Sequence, residues 1–478
     1  MEALGKVCDV TIQPNLHKNY KKRKEIKSQT QNLGEEDEEE EFNLVESKVI
    51  SHHKSSYGKK IGQPNIQPIV NMKPQVPYNA NTYSKSTNTS NQSNQYSFAS
   101  IHSQPHRSAK DLVTLGNEWE PVFELSKQKF DKVTYTPAKP ILLSEAGIVG
   151  EYNTLYDKIT NNTIPILKAL DNITFPSPSN IFEIQMKKIK EDNPGIRVFM
   201  SDSVSAMLMT FQLAVNPWEI TLNINQNKLY FYIYEEKLYL SYGVHESGNK
   251  NPIENTSEKS LNSFKNLADE SANVYNFFSQ MALKSDSDLK LKKESPHGSN
   301  KNLKRGYLYW KWNLDSSLEI CIRSTVDSYL KNENNEAEYI SLNVVNEYGP
   351  SETKIWRENM FKNRSSILST VVSHETLHLA KWILRAEMAG INSMRLGFAV
   401  RKSVKENTKH ELLAVSKYAR EEISKLLNMN YNNSWGILRV MIKSLLDLGD
   451  GTYKLVKDNY KTMIRVYKQI KQVTSEFN

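Results

Sequence analysis

Cysteine is nearly absent from this 478-residue chain, with Cys8 and Cys321 as its whole complement. One lies in a polar N-terminal stretch and the other in a strand-like run. Two such thiols make no disulfide frame, and both are expected to be reduced. A cysteine zinc site is excluded as well, because structural zinc takes about four clustered Cys or His ligands. No stretch reaches the run of about 18 apolar residues that spans a membrane, and the N-terminus carries no apolar leader core. The expected compartment is therefore cytosolic or nuclear, where triplets such as Asn161-Asn162-Thr163 stay unglycosylated. Also missing are G-x-x-x-x-G-K-S/T, G-x-G-x-x-G and G-x-S-x-G. Their absence removes the phosphate-cradling loop, the dinucleotide fingerprint and the serine nucleophile elbow. Hydrophobic residues make up only 38% of the chain, and the mean hydropathy is −0.60. Part of the sequence therefore lies outside any packed core.

Charge is plentiful. Lys and Arg number 62 against 54 Asp and Glu, a net +8. Such an excess suits a polyanionic partner and equally suits solubility. It is unevenly spread: residues 18–27 form a basic cluster and residues 35–41 an unbroken acidic run. Residues 74–107 are rich in Asn, Ser, Gln, Pro and Tyr. A segment of this kind buries too little apolar surface to offset chain entropy, so residues 1–115 are expected to be a disordered tail. Its charge runs read as solvated linker or as an arm that orders on a partner.

From Trp119 onward the pattern becomes globular. Apolar spacing predicts helices over 181–190, 204–215, 261–283, 367–388 and 435–448. Ser201 or Asp202 can cap the second of these, and Pro217 stops it. Strands are predicted over 198–200, 218–222, 228–234, 237–242, 307–312, 318–323, 339–345, 395–401, 411–416, 453–457 and 464–467. Residues 223–227 read as a turn, and 243–260 and 284–303 as polar loops. There is no internal repeat and no regular strand–helix beat. The expected fold is α+β: a mostly antiparallel mixed sheet flanked by helices, over residues 116–472, with a short tail at 473–478.

Two motifs suggest chemistry. His374-Glu375-Thr376-Leu377-His378 is H-E-x-x-H on a predicted helix, the form that binds zinc in metallopeptidases. No recognisable third-ligand motif follows it, so it reads as polar residues on a helix face. The strand at 307–312 interleaves Tyr307, Tyr309, Trp310 and Trp312 with Arg305 and Lys311. Rings can stack on bases while cations meet phosphates, so the pattern suits RNA; one ring set can equally be core.

A set of ordered words gives more. Asn432-Asn433-Ser434-Trp435-Gly436-Ile437-Leu438-Arg439 is followed by Asp450-Gly451-Thr452-Tyr453 and Ile464-Arg465-Val466-Tyr467. Upstream stand Leu379-Ala380-Lys381-Trp382, Leu396-Gly397-Phe398, Asn266-Leu267-Ala268 and Phe278-Ser279-Gln280. Near the start are Leu4-Gly5-Lys6-Val7 and Phe42-Asn43-Leu44-Val45. Together they resemble the family formed by the D subunit of eukaryotic translation initiation factor 3.

That resemblance implies a non-catalytic, cytoplasmic subunit that binds the mRNA 5′ cap and adjacent RNA without a cofactor. It implies a tail that joins other subunits of the factor, indirect contact with the small ribosomal subunit, and no membrane. Carried over by position, the cap-binding residues are Asp202, Val215 and Asn216 on one helix, and Ala272, Tyr275 and Asn276 on another. Asn216 replaces a common Tyr; Ala272, Tyr275 and Asn276 stand where animal members have Thr, Asn and His. An inserted RNA gate maps to residues 238–252: Leu238-Tyr239-Leu240-Ser241-Tyr242-Gly243-Val244-His245-Glu246-Ser247-Gly248-Asn249-Lys250-Asn251-Pro252. The family's folded domain is similar to decapping exonucleases, which hold divalent metal with carboxylates on adjacent strands. Here Asp327 remains, while Thr325, Asn343 and Val345 occupy the other positions. Neutral Asn and Val cannot supply the oxygens Mg²⁺ wants. The competing expectations are a metal-dependent cap-removing hydrolase and a purely structural subunit.

Overall fold

The computed structural model describes residues 115–170, 173, 175, 184–214, 217–232, 260–296, 302–458 and 461–470. The chain divides into two units, Met1–Gln92 and Ser93–Asn478, and every described residue lies in the second. Most of the expected N-terminal tail (1–114), the strand at 237–242 and the whole 238–252 gate lie outside the described residues, as do Val215 and Asn216.

The strands, in chain order, are β1 (Trp119–Ser126), β2 (Ile141–Tyr152), β3 (Ile166–Leu167), β4 (Ile196–Ser201), β5 (Trp218–Asn225), β6 (Lys228–Tyr232) and β7 (Leu283–Lys290). They continue as β8 (Arg305–Asp315), β9 (Leu318–Val326), β10 (Ser328–Lys331), β11 (Ala337–Glu347), β12 (Ser393–Ser403), β13 (Glu406–Ala419), β14 (Gly451–Lys457) and β15 (Met463–Gln469). The helices are α1 (Ile184–Asp192), α2 (Asp202–Met209), α3 (Phe264–Met281) and α4 (Pro350–Asn359). After them come α5 (Arg364–His374), α6 (Thr376–Ala389), α7 (Arg420–Leu426) and α8 (Tyr431–Leu446).

Among the described residues the strands join one sheet in the order β1-β15-β14-β5-β6-β4-β9-β8-β2-β10-β11-β12-β13-β3, with β7 added to β2. Most neighbours run antiparallel; β4 is parallel to β6 and β9, β2 to β10, and β11 to β12. This is the α+β class the pattern implied. The β5–β6 hairpin turns at Gln226 and Asn227, both at positive φ (52° and 61°), the backbone a two-residue primed turn needs.

Side-chain alternation in β8 feeds two layers of core. Tyr307 and Tyr309 pack with Phe199, Tyr230 and Cys321 beneath Met186 and Ile189 of α1. Trp312 lies on the other face, with its ring 4.6 Å from that of Trp435 in α8. Tyr307, Tyr309 and Trp312 are all buried. The aromatic strand is thus core on both faces, which corrects the expectation of a base-stacking platform there. An offset ring pair adds about 0.5–1.5 kcal/mol beyond the area it buries.

Three further elements depart from the sequence pattern. The helix expected over 204–215 is α2, which stops at Thr210; residues 211–213 form a tighter single turn. The helix expected over 367–388 is two helices. Glu375 (φ −117°, ψ 28°) leaves helical geometry and ends α5, and α6 begins at Thr376. Part of the polar 284–303 stretch is β7, an outer strand whose charged residues face solvent while Leu289 packs inward. Among the described residues, no helix is long and apolar enough to cross a membrane.

The word around Trp435 has a structural reason. Asn433 donates its Nδ2 to the carbonyls of Phe130 (3.0 Å) and Val133 (2.8 Å), and Tyr135 N–H donates to the carbonyl of Asn432 (2.8 Å). The segment following β1 is therefore laced to the start of α8. Gly436 allows this approach, since a Cβ there would stand 2.9 Å from the backbone of Val133 and Thr134. Replacing a helix-interior Gly by Ala normally gains about 1 kcal/mol. Gly436→Ala is expected to do the opposite and lower the melting temperature, read by thermal denaturation of the purified chain.

Candidate functional site

Ser201 caps α2, accepting from Val204 N–H at 3.3 Å, and so places Asp202 in the first turn at the end of β4. Asp202 is buried. Its Oδ2 accepts the Thr325 N–H of β9 at 2.9 Å and lies 3.3 Å from Arg385 Nε of α6. Ser203 Oγ donates to its Oδ1 at 3.3 Å.

Two residues beyond Thr325 stands Asp327, between β9 and β10. Tyr275 OH of α3 donates to Asp327 Oδ1 at 2.5 Å, and Leu342 N–H of β11 donates to Oδ2 at 2.9 Å. Burial pushes the Asp327 carboxyl above the ordinary carboxylate range. The charges of Arg305 and Arg385 and the bonds from Tyr275 and Leu342 oppose that rise without cancelling it. The Arg305 guanidinium of β8 lies 5.4 Å from the Tyr275 ring centroid. Arg305 Nη2 donates to Asn276 Oδ1 (3.2 Å) and Ser279 Oγ (3.4 Å).

Four of the six carried-over cap residues are thus described. Asp202, Tyr275 and Asn276 converge on the Thr325–Asp327 stretch with Arg305 and Arg385. Ala272 is buried on α3, one turn before Asn276. Asp202 and Tyr275 are only 2% and 6% exposed, with their polar atoms already engaged.

Asn343 is buried on β11 and donates to Ser341 Oγ at 2.9 Å, and Val345 is core. Among the described residues no group of three or more His, Cys, Asp or Glu could hold a metal ion. The H-E-x-x-H motif straddles the α5–α6 break, with His374 ending one helix and His378 lying in the next. His378 Nδ1 and Glu375 Oε2 are 2.7 Å apart.

Sequence reasoning missed Glu270. On α3 it is fully buried and takes Arg401 Nε (2.8 Å), Asn346 Nδ2 (3.0 Å) and a 2.7 Å contact with His410 Nε2. Only an acid near the middle of an amphipathic helix hinted at it. Burial alone would raise the Glu270 carboxyl, but the bonds from Arg401, His410 and Asn346 hold it below the usual range. Its contribution is therefore present above the unfolded value near 4.5 and is lost as pH falls through the lower folded value. Glu270→Gln is expected to cost about 3–5 kcal/mol at neutral pH, because Arg401 loses its counter-charge. It should also flatten the acid side of the stability profile; melting curves at pH 7 and pH 4 check both.

A family profile described as eukaryotic translation initiation factor 3 subunit 7 (eIF-3) matches residues 1–468. Over 374 residues the chain is 28% identical to the D subunit of eukaryotic translation initiation factor 3 from Schizosaccharomyces pombe, covering 74% of this chain and 65% of that protein. Over 378 residues it is 28% identical to the Arabidopsis thaliana D subunit, covering 77% and 63%. The match therefore spans slightly less than two thirds of either relative's length. With the Mus musculus D subunit, identity is 25% over 492 residues, covering 98% of this chain and 88% of that protein. Among solved structures it is similar to Scheffersomyces stipitis Rai1, at TM-score 0.44 and 12% identity over 75% of this chain and 94% of that one. Schizosaccharomyces pombe Rai1 gives TM-score 0.43 and 12% identity over 73% and 99%. Since the profile runs through nearly the whole sequence, the chain belongs to the eukaryotic translation initiation factor 3 subunit 7 family.

Proposed function

We propose that this chain is a non-catalytic, mRNA cap-binding subunit of the eukaryotic translation initiation factor 3 complex, acting in the cytoplasm. Family membership supports the complex. One observation carries the site: polar residues of α2 and α3 converge on the end of β9 together with two arginines. A methylated guanine is a flat cation that suits aromatic and carboxylate neighbours, and its triphosphate suits guanidinium groups. Residues 116–472 form the cap-binding domain in this reading, with Val215 and Asn216 completing the first helix's share. Residues 238–252 act as an RNA gate that controls access. Residues 1–115 join other subunits, and through them the small ribosomal subunit, while 473–478 are a tail.

A neutral Asn343 and a buried, already bonded Asp327 support the non-catalytic part, because neither offers a vacant carboxylate to a divalent ion. One observation favours a second reading, a purely structural subunit: the polar atoms of Asp202 and Tyr275 are occupied without ligand.

The full chain is expected to stay on a cap-analogue resin and to be released by free cap analogue. Equal, salt-sensitive binding of capped and uncapped RNA sinks the cap reading and leaves the structural one. Metal-dependent release of capped nucleotide sinks the non-catalytic part.

A further inference from the structure

Asp327 is buried, yet it bears on two residues at the proposed site. Its Oδ1 accepts Tyr275 OH at 2.5 Å, a length typical of a charge-assisted bond. That bond leaves the Tyr275 ring little freedom to swing. The ring in turn lies against the Arg305 guanidinium at 5.4 Å, while Asn276 and Ser279 hold Arg305 Nη2 from the same helix. A guanidinium carries five N–H donors in one rigid plane, so fixing the plane aims all of them. The order of dependence is Asp327, then Tyr275, then Arg305.

We propose that Asp327 is a positioning residue: through the Tyr275 hydroxyl it sets the plane of Arg305, and Arg305 takes the phosphate chain of a capped nucleotide. The proposal rests on the cap-binding reading and adds to it the group that meets the phosphates. It also gives a use to this chain's departure at position 275, since Asn, the residue of animal members, has no phenol hydroxyl. Asp327 is then no remnant of a metal site but the anchor of an anion-binding arginine.

The test compares two ligands, a cap analogue with a triphosphate and the methylated nucleoside without phosphates. Both are titrated against the full chain and two variants. Tyr275→Phe keeps the ring and removes the hydroxyl. Tyr275→Phe with Asp327→Asn removes the bond without leaving a buried charge unsatisfied, and the new amide oxygen can still accept Leu342 N–H. Both variants are expected to bind the triphosphate analogue about tenfold more weakly, the scale of one charge-assisted hydrogen bond. Nucleoside binding should be unchanged, and melting of the double variant should lie close to the parent. Equal weakening for both ligands, or none for either, overturns the positioning role while the cap reading stands. Failure of the unaltered chain to bind either ligand overturns the cap reading, and this inference with it.

Discussion

One buried carboxylate, at the end of β9, joins three parts of the fold that chain order keeps apart. Asp327 accepts from Leu342 of β11 and from Tyr275 of α3, and two residues earlier Thr325 donates to Asp202 of α2. Two residues of strand span about 7 Å. Both helices are thus fastened to one short, stiff piece of backbone, and the gap between them follows from the strand. Burying a carboxylate without partners costs several kcal/mol; here the guanidinium groups of Arg305 and Arg385 and two hydrogen bonds compensate. The carboxyl nonetheless stays above its ordinary range, so burial outweighs its partners.

Helix α3 is held a second time, five residues earlier. Glu270 meets Arg401 and His410 of the neighbouring strands β12 and β13 inside the fold, and Asn346 of β11 completes its shell. Apolar contact adds to this through Val274 and Phe278, which pack on Ile340, Leu342 and Val344. Apolar packing alone tolerates small shifts of a helix along a sheet, whereas paired and directional polar bonds do not. The residues facing Asp327 and Arg305 therefore sit on a helix with little freedom to slide. Geometry of that kind is what positioning a ligand requires.

How much of this was legible in the sequence depended on what each residue answers to. Residues that answer to local backbone were read well: the cap at Ser201, the turn near Asn227 and the final hairpin all appear close to where the pattern put them. The words around Trp435 were visible as words, but their cause was not. Asn433 and Gly436 are set by a segment some 300 residues away, which no window of local pattern contains. The α5–α6 break was hidden because Leu377 and Leu379 continue the apolar spacing past Glu375. Strand β7 was hidden because an outer strand on a charged surface needs few apolar residues. Glu270 and Asp327 were opaque as partners for the same reason: their meaning lies in Arg401, His410 and Tyr275, none of them a sequence neighbour.

The balance of charge at this strand end bears on which ligand it can take. A divalent cation needs several carboxylate oxygens turned toward one point. Here Asn343 offers an amide, Val345 offers nothing, and both Asp327 oxygens already accept. The near neighbours of Asp327 are Arg305 and Arg385, and a cation placed among them meets repulsion that one carboxylate with a raised pKa offsets poorly. An anion meets the reverse. Each guanidinium is partly balanced by the acids within the protein, so a phosphate gains less than full Coulomb attraction, but it gains donors whose directions are already fixed. Between two polyvalent ligands of opposite sign, this arrangement therefore favours the phosphate.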